Sequence, residues 1–215
     1  MKSFDIPIPT LKRLPLYYQH LLIARERGEK VMSSTDLGEA IGSAPEQVRK
    51  DLSFLSGQGK SRVGYDIDKL ISIIETYLGL MLHKEAVIIG AGNLGHALAL
   101  YPGFSQYGLK IIALFDNDAK KIGEKVGKLK VLHVDDLADY IKNQSIRIAI
   151  LTTPPESARQ IAPQLVNSGI KAIWNFSTAH LVVPEDVLVR NVDLSLELGV
   201  ISHYISGLDR ISLIK

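Results

Sequence analysis

Three glycines in the stretch Gly90-Ala-Gly92-Asn-Leu-Gly95 follow an apolar run at 85–90 and precede a helix-forming segment. In a dinucleotide-binding turn with this spacing, the first glycine permits a tight turn and the second lets the backbone approach a pyrophosphate. The third lets the helix pack closely on the strand. The motif therefore predicts a phosphate-binding turn between a strand and a helix. A glycine turn in an α/β protein without a cofactor is the alternative.

An acidic residue stands where such a site would bind a ribose. The next apolar run, 109–116, ends in Phe115-Asp116, and Asp116 lies 21 residues after Gly95. A carboxylate there can accept hydrogen bonds from both ribose hydroxyls and would repel a 2′-phosphate. Because no Arg follows directly, the sequence favours NAD(H) over NADP(H).

The chain shows no recognisable catalyst. It has no Cys, so it has neither a thiolate metal site nor a Cys nucleophile, and none of its six His residues forms an i,i+4 pair. His180 follows an apolar run and could approach a site, but a histidine satisfied in its loop is the simpler interpretation. We predict no catalytic residues and no metal site, with a small NAD-dependent oxidoreductase as the alternative.

Composition and charge restrict the possible classes of protein. The chain has 215 residues, 46% hydrophobic and 22% charged, which is ordinary globular usage. It shows no signal peptide, and its longest apolar stretch, 70–82, is too short for a membrane span. We therefore expect a cytoplasmic protein without a membrane partner. Residues 1–83 carry 11 basic and 10 acidic side chains, and 84–215 carry 14 and 13, so any contact with nucleic acid must be a local patch.

The two halves of the chain differ in pattern. Residues 10–82 have apolar positions at helical spacing, with a predicted cap at Ser43 and Glu46 before the third of four helices. Residues 84–215 alternate strand-like and helix-like segments, which implies a mainly parallel sheet. The predicted strands cover 85–90, 109–116, 128–132, 146–152, 170–176 and 187–194.

The third predicted helix, 44–56, resembles the reading helix of a helix-turn-helix. Val48, Leu52 and Leu55 share one face, while Arg49 and Lys50 lie on the other. A tight connection precedes the helix, and a glycine-bounded segment that could form a wing hairpin follows it. Residues 47–62 carry a local net charge of +3. A helical bundle that serves dimer packing is the alternative.

The two halves together resemble the bacterial Rex family of redox-sensing transcriptional repressors. The resemblance covers nearly the whole chain, and its matching stretches are 6–21, QVRKDLS (47–53), RVGYDI (62–67), VIIGAGNLGHAL (87–98), YPGF (101–104), FDND with KIG (115–123), AILTTP (149–154), GIKAIWNF (169–176) and VDLSLEL (192–198). It implies an α/β protein with an N-terminal winged helix-turn-helix domain (1–83), a C-terminal Rossmann NAD(H)-binding domain with a parallel sheet (84–196) and a C-terminal helix (197–215). The family implies a homodimer that binds pseudo-palindromic, double-stranded operator DNA with NAD+ and is released by NADH.

The resemblance also assigns site residues. For the cofactor it implies Gly90, Ala91, Gly92, Asn93, Leu94, Gly95, His96, Asp116, Thr152, Pro154, Tyr101 and Asp193. For DNA it implies Ser34, Gln47, Arg49, Lys50 and Ser53 around the reading helix, with Lys60, Arg62 and Tyr65 in the wing.

One departure concerns the switch between the two states. Tyr101 matches a family tyrosine near the nicotinamide, and Asp193 matches an aspartate contributed across the dimer. Some family members carry an Arg where this chain has Gln19, and there the Arg pairs with that aspartate in one state. Gln19 can only form a hydrogen bond, which puts the salt bridge in doubt for this chain.

The C-terminal segment has Ile201, Tyr204, Ile205, Leu208 and Ile211 near one helical face. Packing on its own domain is one interpretation, and a helix swapped into the partner subunit is the one that the family implies.

The C-terminal half has one further alternative interpretation, a binding module with a coenzyme A-binding fold. The acid at Asp116 is only weak evidence against it.

Overall fold

The structure is a computed structural model that describes residues 6–55 and 64–212. It divides the chain into two compact units, one ending at Leu82 and the other beginning at His83.

In residues 6–55 and 64–82, unit 1 has four helices and a two-stranded ribbon. Its elements are α1 (Ile8–Glu26), β1 (Val31–Met32), α2 (Ser34–Ile41), α3 (Pro45–Ser53), β2 (Tyr65–Asp66) and α4 (Ile67–Leu78). The strands β1 and β2 pair antiparallel, Val31 with Asp66 and Met32 with Tyr65. The four predicted helices are all present, and the predicted apolar face of α3 is correct, since Val48, Leu52 and Leu55 are buried in the core of this unit.

The cap of α3 differs from the predicted pattern, whereas α2 begins directly after its cap at Ser33. Ser33, not Ser43, forms a capping box: its hydroxyl accepts the backbone N–H of Asp36, and the Asp36 carboxylate accepts the N–H of Ser33. The prediction of a cap by Ser43 was wrong, because Ala44 is the N-cap of α3 and makes no side-chain cap. The Ser43 N–H instead donates to the carbonyl of Gly38 and closes the end of α2.

Unit 2 is a seven-stranded sheet with helical crossovers. Its strands are β3 (Lys84–Ile89), β4 (Leu109–Asp116), β5 (Lys125–Val126), β6 (Leu129–His133), β7 (Ile148–Leu151), β8 (Ala172–Asn175) and β9 (Leu188–Asn191). Its α-helices are α5 (Asn93–Ala99), α6 (Leu137–Gln144), α7 (Pro155–Asn167) and α8 (Leu196–Ser212). The strand order is β5-β6-β4-β3-β7-β8-β9, and every neighbouring pair is parallel except β5 with β6. The six predicted strands are present, and β5 was not predicted.

The central strands are apolar on both faces because helices cover both sides of the sheet. Val87 and Ile89 of β3 belong to one core cluster, while Ala86 and Ile88 belong to the cluster on the opposite face. The order of the sheet reverses beside β3, since the chain moves outward to β4 and β6 and then returns to β7. In open α/β sheets such a reversal leaves a crevice at the carboxyl ends of the strands, where ligands bind.

The last helix, α8, leaves much apolar surface uncovered. The apolar side chains that are exposed along it are Leu196, Leu198, Val200, Ile201, Tyr204 and Ile205. Among the described residues, these side chains are not packed on their own domain. The swapped position of this helix stays a prediction.

Within residues 6–55 and 64–212, no helix is both long and apolar enough to cross a membrane.

Candidate dinucleotide and DNA sites

The turn between β3 and α5 explains why its three glycines differ. Gly90 has φ +103°, and a Cβ there would lie 2.8 Å from the carbonyl oxygen of Thr152. A Cβ at Gly95 would collide with the carbonyl oxygen of Gly90. A Cβ at Gly92 would meet nothing within 4 Å. Two of the glycines are therefore required by the fold itself, whereas Gly92 borders open space that a ligand can fill.

Asp116 ends β4 beside this turn and is 8% exposed. Its Oδ2 accepts the backbone N–H of Ala91 at 2.7 Å, and its Oδ1 accepts the N–H of Asp118 at 2.9 Å. Lys121 donates to Oδ2 from 3.0 Å. Burial alone would raise the pKa of Asp116, but these hydrogen bonds and the ammonium of Lys121 outweigh it and hold that pKa below its usual value. The carboxylate is therefore ionised at neutral pH.

A cleft of about 570 Å³ opens at the carboxyl ends of β3, β4 and β7. This volume lies in the usual range for small-molecule sites, roughly 300–1,000 Å³. The residues that line the cleft are Gly90, Gly92, Asp116, Asn117, Asp118, Lys121, Val134, Thr152, Thr153, Pro154, Ser157, Gln160, Ile161 and Gln164. The cleft thus lies where the reversal of strand order predicts a ligand.

One hydroxyl in the cleft lacks a hydrogen-bond partner. Thr153 Oγ1 is buried and finds no partner within the described part of the chain. Leaving a buried polar atom unpaired costs free energy, so such an atom in a cleft points to a ligand or a water. The open space at Gly92, the acid at the end of β4 and this hydroxyl together fit a dinucleotide.

The cleft contains five of the residues predicted to bind the cofactor, namely Gly90, Gly92, Asp116, Thr152 and Pro154. The Thr152 hydroxyl donates to the carbonyl oxygens of Gly90, at 2.7 Å, and Ile89, at 3.1 Å, so it secures the glycine turn. The predicted residues outside the lining are Ala91, Asn93, Leu94, Gly95, His96, Tyr101 and Asp193. Of these, Ala91 contributes through its backbone N–H to Asp116.

Tyr101 and Asp193 are held by different neighbours within this chain. Tyr101 is 57% exposed, and its ring meets the edge of Phe104 with the centroids 5.1 Å apart. The carboxylate of Asp193, just before α8, accepts the N–H and hydroxyl of Ser195 at 2.9 and 2.6 Å. These hydrogen bonds lower the pKa of Asp193. A contact between Tyr101 and Asp193 was expected across a dimer, so it stays a prediction.

The turn between α2 and α3 brings together three side chains at the start of the reading helix. The guanidinium of Arg49 donates to the Ser34 hydroxyl at 2.9 Å and to the Glu46 carboxylate at 2.6 Å. Arg49 and Lys50 are both exposed. The hydroxyl of Ser53 donates to the carbonyl oxygen of Lys50 at 2.7 Å. Arg49 and Lys50 therefore form an accessible basic patch, although Glu46 partly neutralises it.

Gln47 occupies a different environment from the one predicted. It is half-buried, and its amide donates to Asp51 Oδ1 at 2.9 Å. The fully buried carboxylate of Asp51 also accepts hydrogen bonds from Thr10 and Tyr17 and a bidentate ion pair from Arg13. Asp51 thus joins α3 to α1, and Gln47 supports its carboxylate from within α3. The expected contact of Gln47 with DNA competes with this role.

The predicted wing lies mostly outside the described residues. Lys60 and Arg62 fall in 56–63, as does most of the predicted hairpin. Tyr65 is half-buried in β2, where it pairs with Met32 of β1.

The sequence reasoning missed Lys121, Thr153 and the polar side of α7. Ser157, Gln160 and Gln164 follow one another at helical spacing and all line the cleft. That spacing, directly after a predicted strand end, was a readable signal for this face. Lys121 opens the KIG match to the family but was given no role, because its contact with Asp116 depends on the loop after β4. No group of three or more metal-ligating side chains occurs in residues 6–55 and 64–212.

Two family models match the chain. A model described as CoA binding domain matches residues 83–179, and one described as Putative DNA-binding protein N-terminus matches residues 5–53. The first model agrees with the coenzyme A-binding fold that is the further alternative for the C-terminal half. The second covers α1 through α3, which include the predicted reading helix.

Relatives that match most of this chain and solved structures indicate the same family. The chain is 38% identical to the redox-sensing transcriptional repressor Rex of Bacteroides thetaiotaomicron, over 91% of this chain and 89% of the relative. It is 39% identical to Rex of Desulforamulus reducens, over 94% and 96%. The crystal structure of RSP with beta-NADH covers 98% of this chain and 99% of its own, with 34% identity and a TM-score of 0.87. The structure of RSP with beta-NAD+ and operator DNA covers 98% and 97%, with 35% identity and a TM-score of 0.89.

These relatives are named as transcriptional repressors, which favours a regulator over the alternative of an oxidoreductase. Their similarity extends over both units, so it includes the DNA-binding half as well as the Rossmann half. The cleft with Asp116 and the exposed Arg49 and Lys50 on α3 lie in the same chain. On this combination, the chain belongs to the Rex family of redox-sensing transcriptional repressors.

Proposed function

We propose that this protein represses transcription by binding operator DNA through unit 1, and that NADH bound in the cleft of unit 2 releases it. The observation that carries this function is the presence of both sites in one chain: an exposed basic patch on α3, and a dinucleotide cleft that ends at Asp116. A chain that only performed hydride transfer would not require the first site. Transcription would then follow the ratio of NADH to NAD+.

In unit 1, Arg49 and Lys50 are the side chains best placed to contact DNA. Both project from α3, whose opposite face is anchored in the core by Val48 and Leu52. An arginine can bind guanine through two hydrogen bonds, whereas a lysine contact with phosphate mainly adds charge. Arg49 must exchange its contacts with Glu46 and Ser34 for contacts with DNA. Ser34 and Ser53, at the two ends of this surface, can then donate to phosphate.

In unit 2, the glycine turn and Asp116 would bind the two ends of an ADP-ribose group. Gly92 leaves space for the pyrophosphate, and Asp116 accepts from the ribose. Thr153 supplies a hydroxyl that has no other partner among the described residues. Asn93, Leu94 and the other predicted residues of the turn act through their backbone and packing.

We propose a homodimer acting in the cytoplasm on a pseudo-palindromic operator. The exposed apolar residues of α8 support a helix that is covered by a second subunit. A two-fold dimer would present two copies of α3 to the two halves of such an operator.

The switch requires groups that respond differently to NADH and NAD+, which differ by a hydride and by the charge of the nicotinamide ring. A ligand shifts an equilibrium only by its difference in affinity for the two states. We propose that Tyr101 and the partner subunit's Asp193 provide that difference, with the tyrosine hydroxyl holding the carboxylate when NADH is bound. Tyr101→Phe and Asp193→Ala should keep DNA binding and lose release by NADH. Gln19→Ala should change little, because no Arg stands at this position.

The decisive experiment is a mobility-shift titration on a palindromic operator at fixed salt, with NAD+ and NADH added separately. Fixed salt matters because phosphate contacts make affinity depend on ionic strength. We expect a complex that persists with NAD+ and dissociates with NADH. A complex that responds equally to both cofactors would contradict the proposed sensor.

Three variants separate the two sites in that assay. Arg49→Ala and Lys50→Ala should each weaken operator binding, by about 1–3 kcal/mol where a base contact is lost, while calorimetry shows normal NADH binding. Gly92→Val should keep the fold and DNA binding and lose the response to NADH, since its side chain enters open space. Arg25→Ala, which removes an exposed charge from the end of α1, is the matched control.

A further inference from the structure

The acceptor capacity of Asp116 is already largely used by the protein itself. A carboxylate offers about four lone-pair sites, two on each oxygen. Oδ2 accepts from Ala91 N–H and from Lys121 Nζ, while Oδ1 accepts from Asp118 N–H. One acceptor site is therefore left, and it lies on Oδ1. A ribose diol that donates one hydrogen bond to each carboxylate oxygen would need a free acceptor site on both Oδ1 and Oδ2.

Lys121 is the one donor on Asp116 that can move. The other two donors are backbone amides of the glycine turn and of the loop after β4, and their positions are set by the fold. The side chain of Lys121 is 34% exposed and also lines the cleft. Its ammonium has three donors, so it can retain Asp116 and also bind a hydroxyl or a phosphate oxygen in the cleft.

The charge balance at this end of the cleft gives Lys121 a second effect. The ionisable residues that line the cleft are Asp116, Asp118 and Lys121. With Lys121 present, the formal charges of these three residues sum to −1. Without it, the two aspartates alone sum to −2. A 2′-phosphate, which carries about two negative charges, would therefore meet stronger repulsion in the absence of Lys121.

We propose that Lys121 is a specificity-determining residue that limits how strongly the cleft rejects a 2′-phosphorylated dinucleotide. The inference rests on the proposed function, since it concerns the same cofactor cleft. Asp116 supplies the preference for an unphosphorylated ribose, and Lys121 offsets part of its charge and takes up one of its acceptor sites. The cleft selects NADH over NADPH less strictly than an unpaired aspartate would.

The test compares NADH with NADPH, which differ only in the 2′-phosphate, on the full-length protein. Binding is measured by calorimetry at one pH and salt concentration, with emission of Trp174, the chain's one tryptophan, as a second readout. We expect Lys121→Met to widen the ratio of the two dissociation constants roughly tenfold, mainly through weaker NADPH binding. NADH affinity should change less than about threefold, because loss of the lysine contact is offset by the freed site on Asp116.

Lys120→Met is the matched control. It removes the same charge one residue earlier, from an exposed side chain of the same loop. We expect it to leave the ratio within about twofold of wild type, since an exposed charge is screened by solvent and salt. An equal shift in both variants would overturn the proposal, because the effect would then be a general field and not a contact with Asp116.

A second pair of variants covers the case in which wild-type protein binds NADPH too weakly to measure. Asp116→Asn should gain NADPH binding, and Asp116→Asn with Lys121→Met should lose that gain. Equal NADPH affinity in these two variants would overturn the role of Lys121. NADH binding and NADH-driven release by the wild-type protein test the proposed function separately. If the wild type shows neither, both proposals fail. If it shows both, but Lys121→Met leaves the ratio of the two dissociation constants unchanged, only the role of Lys121 is overturned.

Discussion

Two buried aspartates, one in each unit, are used in opposite ways. Asp51 is 0% exposed and accepts five hydrogen bonds from Thr10, Arg13, Tyr17 and Gln47, which saturates its carboxylate. Asp116 is 8% exposed at the edge of a cleft and accepts three. A carboxylate whose acceptor sites are all filled by its own chain can only hold elements together. One with a site left, beside a movable donor, can bind a ligand.

The comparison also shows how the two units prepare their functional surfaces. In unit 1 the buried acid lies on the core-facing side of α3 and ties this helix to α1, so it is turned away from the exposed face that carries Arg49 and Lys50. In unit 2 the acid itself faces the cleft, and the glycine turn is built around it through Ala91 N–H. Loss of the first acid should therefore affect folding, and loss of the second should affect binding.

The largest effect is expected from Asp51→Ala. Removing this carboxylate leaves the Arg13 guanidinium, the Tyr17 hydroxyl and the Gln47 amide without their partner. Breaking a buried ion pair in this way costs about 3–5 kcal/mol of unfolding free energy. Denaturant unfolding followed by helical ellipticity measures it. NADH affinity, measured by calorimetry, should be unchanged, and a loss of NADH binding would break the separation between the units.

Acid should weaken unit 1 through the same residue. Burial opposes ionisation of Asp51, but the hydrogen bonds from Arg13, Tyr17, Thr10 and Gln47 prevail and lower its pKa from 3.8 to about 2. A lowered pKa stabilises the fold above the unfolded-state value, and this stability is lost as the pH falls from about 4 to about 2. The loss should amount to about 2 kcal/mol.

The measurement is urea unfolding by ellipticity at pH 6 and at pH 3, an interval that should show about half of this loss, about 1 kcal/mol. Asp51→Asn is the control, because an amide cannot titrate and the acid-dependent part of the change should shrink. The pKa of Asp116 is also lowered, so unit 2 moves in the same direction, and Trp174 emission follows that unit separately. Equal acid sensitivity of the wild type and Asp51→Asn would contradict this account.

Asp116→Ala should show the reverse pattern to Asp51→Ala. Losing a hydrogen bond to a charged acceptor weakens NADH binding by about 1.5–3 kcal/mol, which is roughly 10- to 100-fold. Operator binding without cofactor should remain, and more NADH should be needed for release in the mobility-shift assay. Normal NADH affinity in this variant would show that the ribose does not bind at the end of β4.

The smallest effect is expected from Glu46→Gln. Glu46 is an exposed acid on α3 that pairs with Arg49, so the change removes a negative charge next to the DNA surface and frees the guanidinium. Exposed pairs contribute little, so we expect operator affinity to rise only about two- to fivefold, with a steeper dependence on salt. Glu39→Gln, on α2, is the control. Weaker operator binding in Glu46→Gln would contradict this prediction and would indicate that Glu46 holds Arg49 in the orientation that contacts DNA.

Local patterns were enough to predict the order of the elements and the main features of the cofactor site. The alternation of apolar strands and helical segments after residue 84 predicts the sheet, because each strand is covered on both faces. The spacing of Gly90, Gly92 and Gly95 and the acid at the end of the next strand predicts the turn and Asp116. These features depend on neighbours in sequence, so they can be read from the chain alone.

Other features depend on which segments meet in space. Asp51 is saturated because α1 brings Thr10, Arg13 and Tyr17 to it, and α1 lies more than 30 residues earlier.

Two further differences are local. The strand β5 has only two residues and pairs antiparallel with β6 across a tight turn, Val126 opposite Leu129, so it is too short for an apolar pattern to reveal it. The predicted cap of α3 is displaced by one residue, because Ala44 is the N-cap and Ser43 belongs to the end of α2, where its N–H donates to the carbonyl of Gly38.

The sequence by itself determined the class of the fold, the glycine turn, the acid at the end of β4 and the basic face of α3. All of these follow from periodicity and spacing within a single element or turn. Only the tertiary structure decided that Asp51 is saturated and that Lys121, which lines the cleft, donates to Asp116. The physical reason is that a carboxylate's free acceptor sites are set by every donor that folding brings to it, and most of those donors come from other elements.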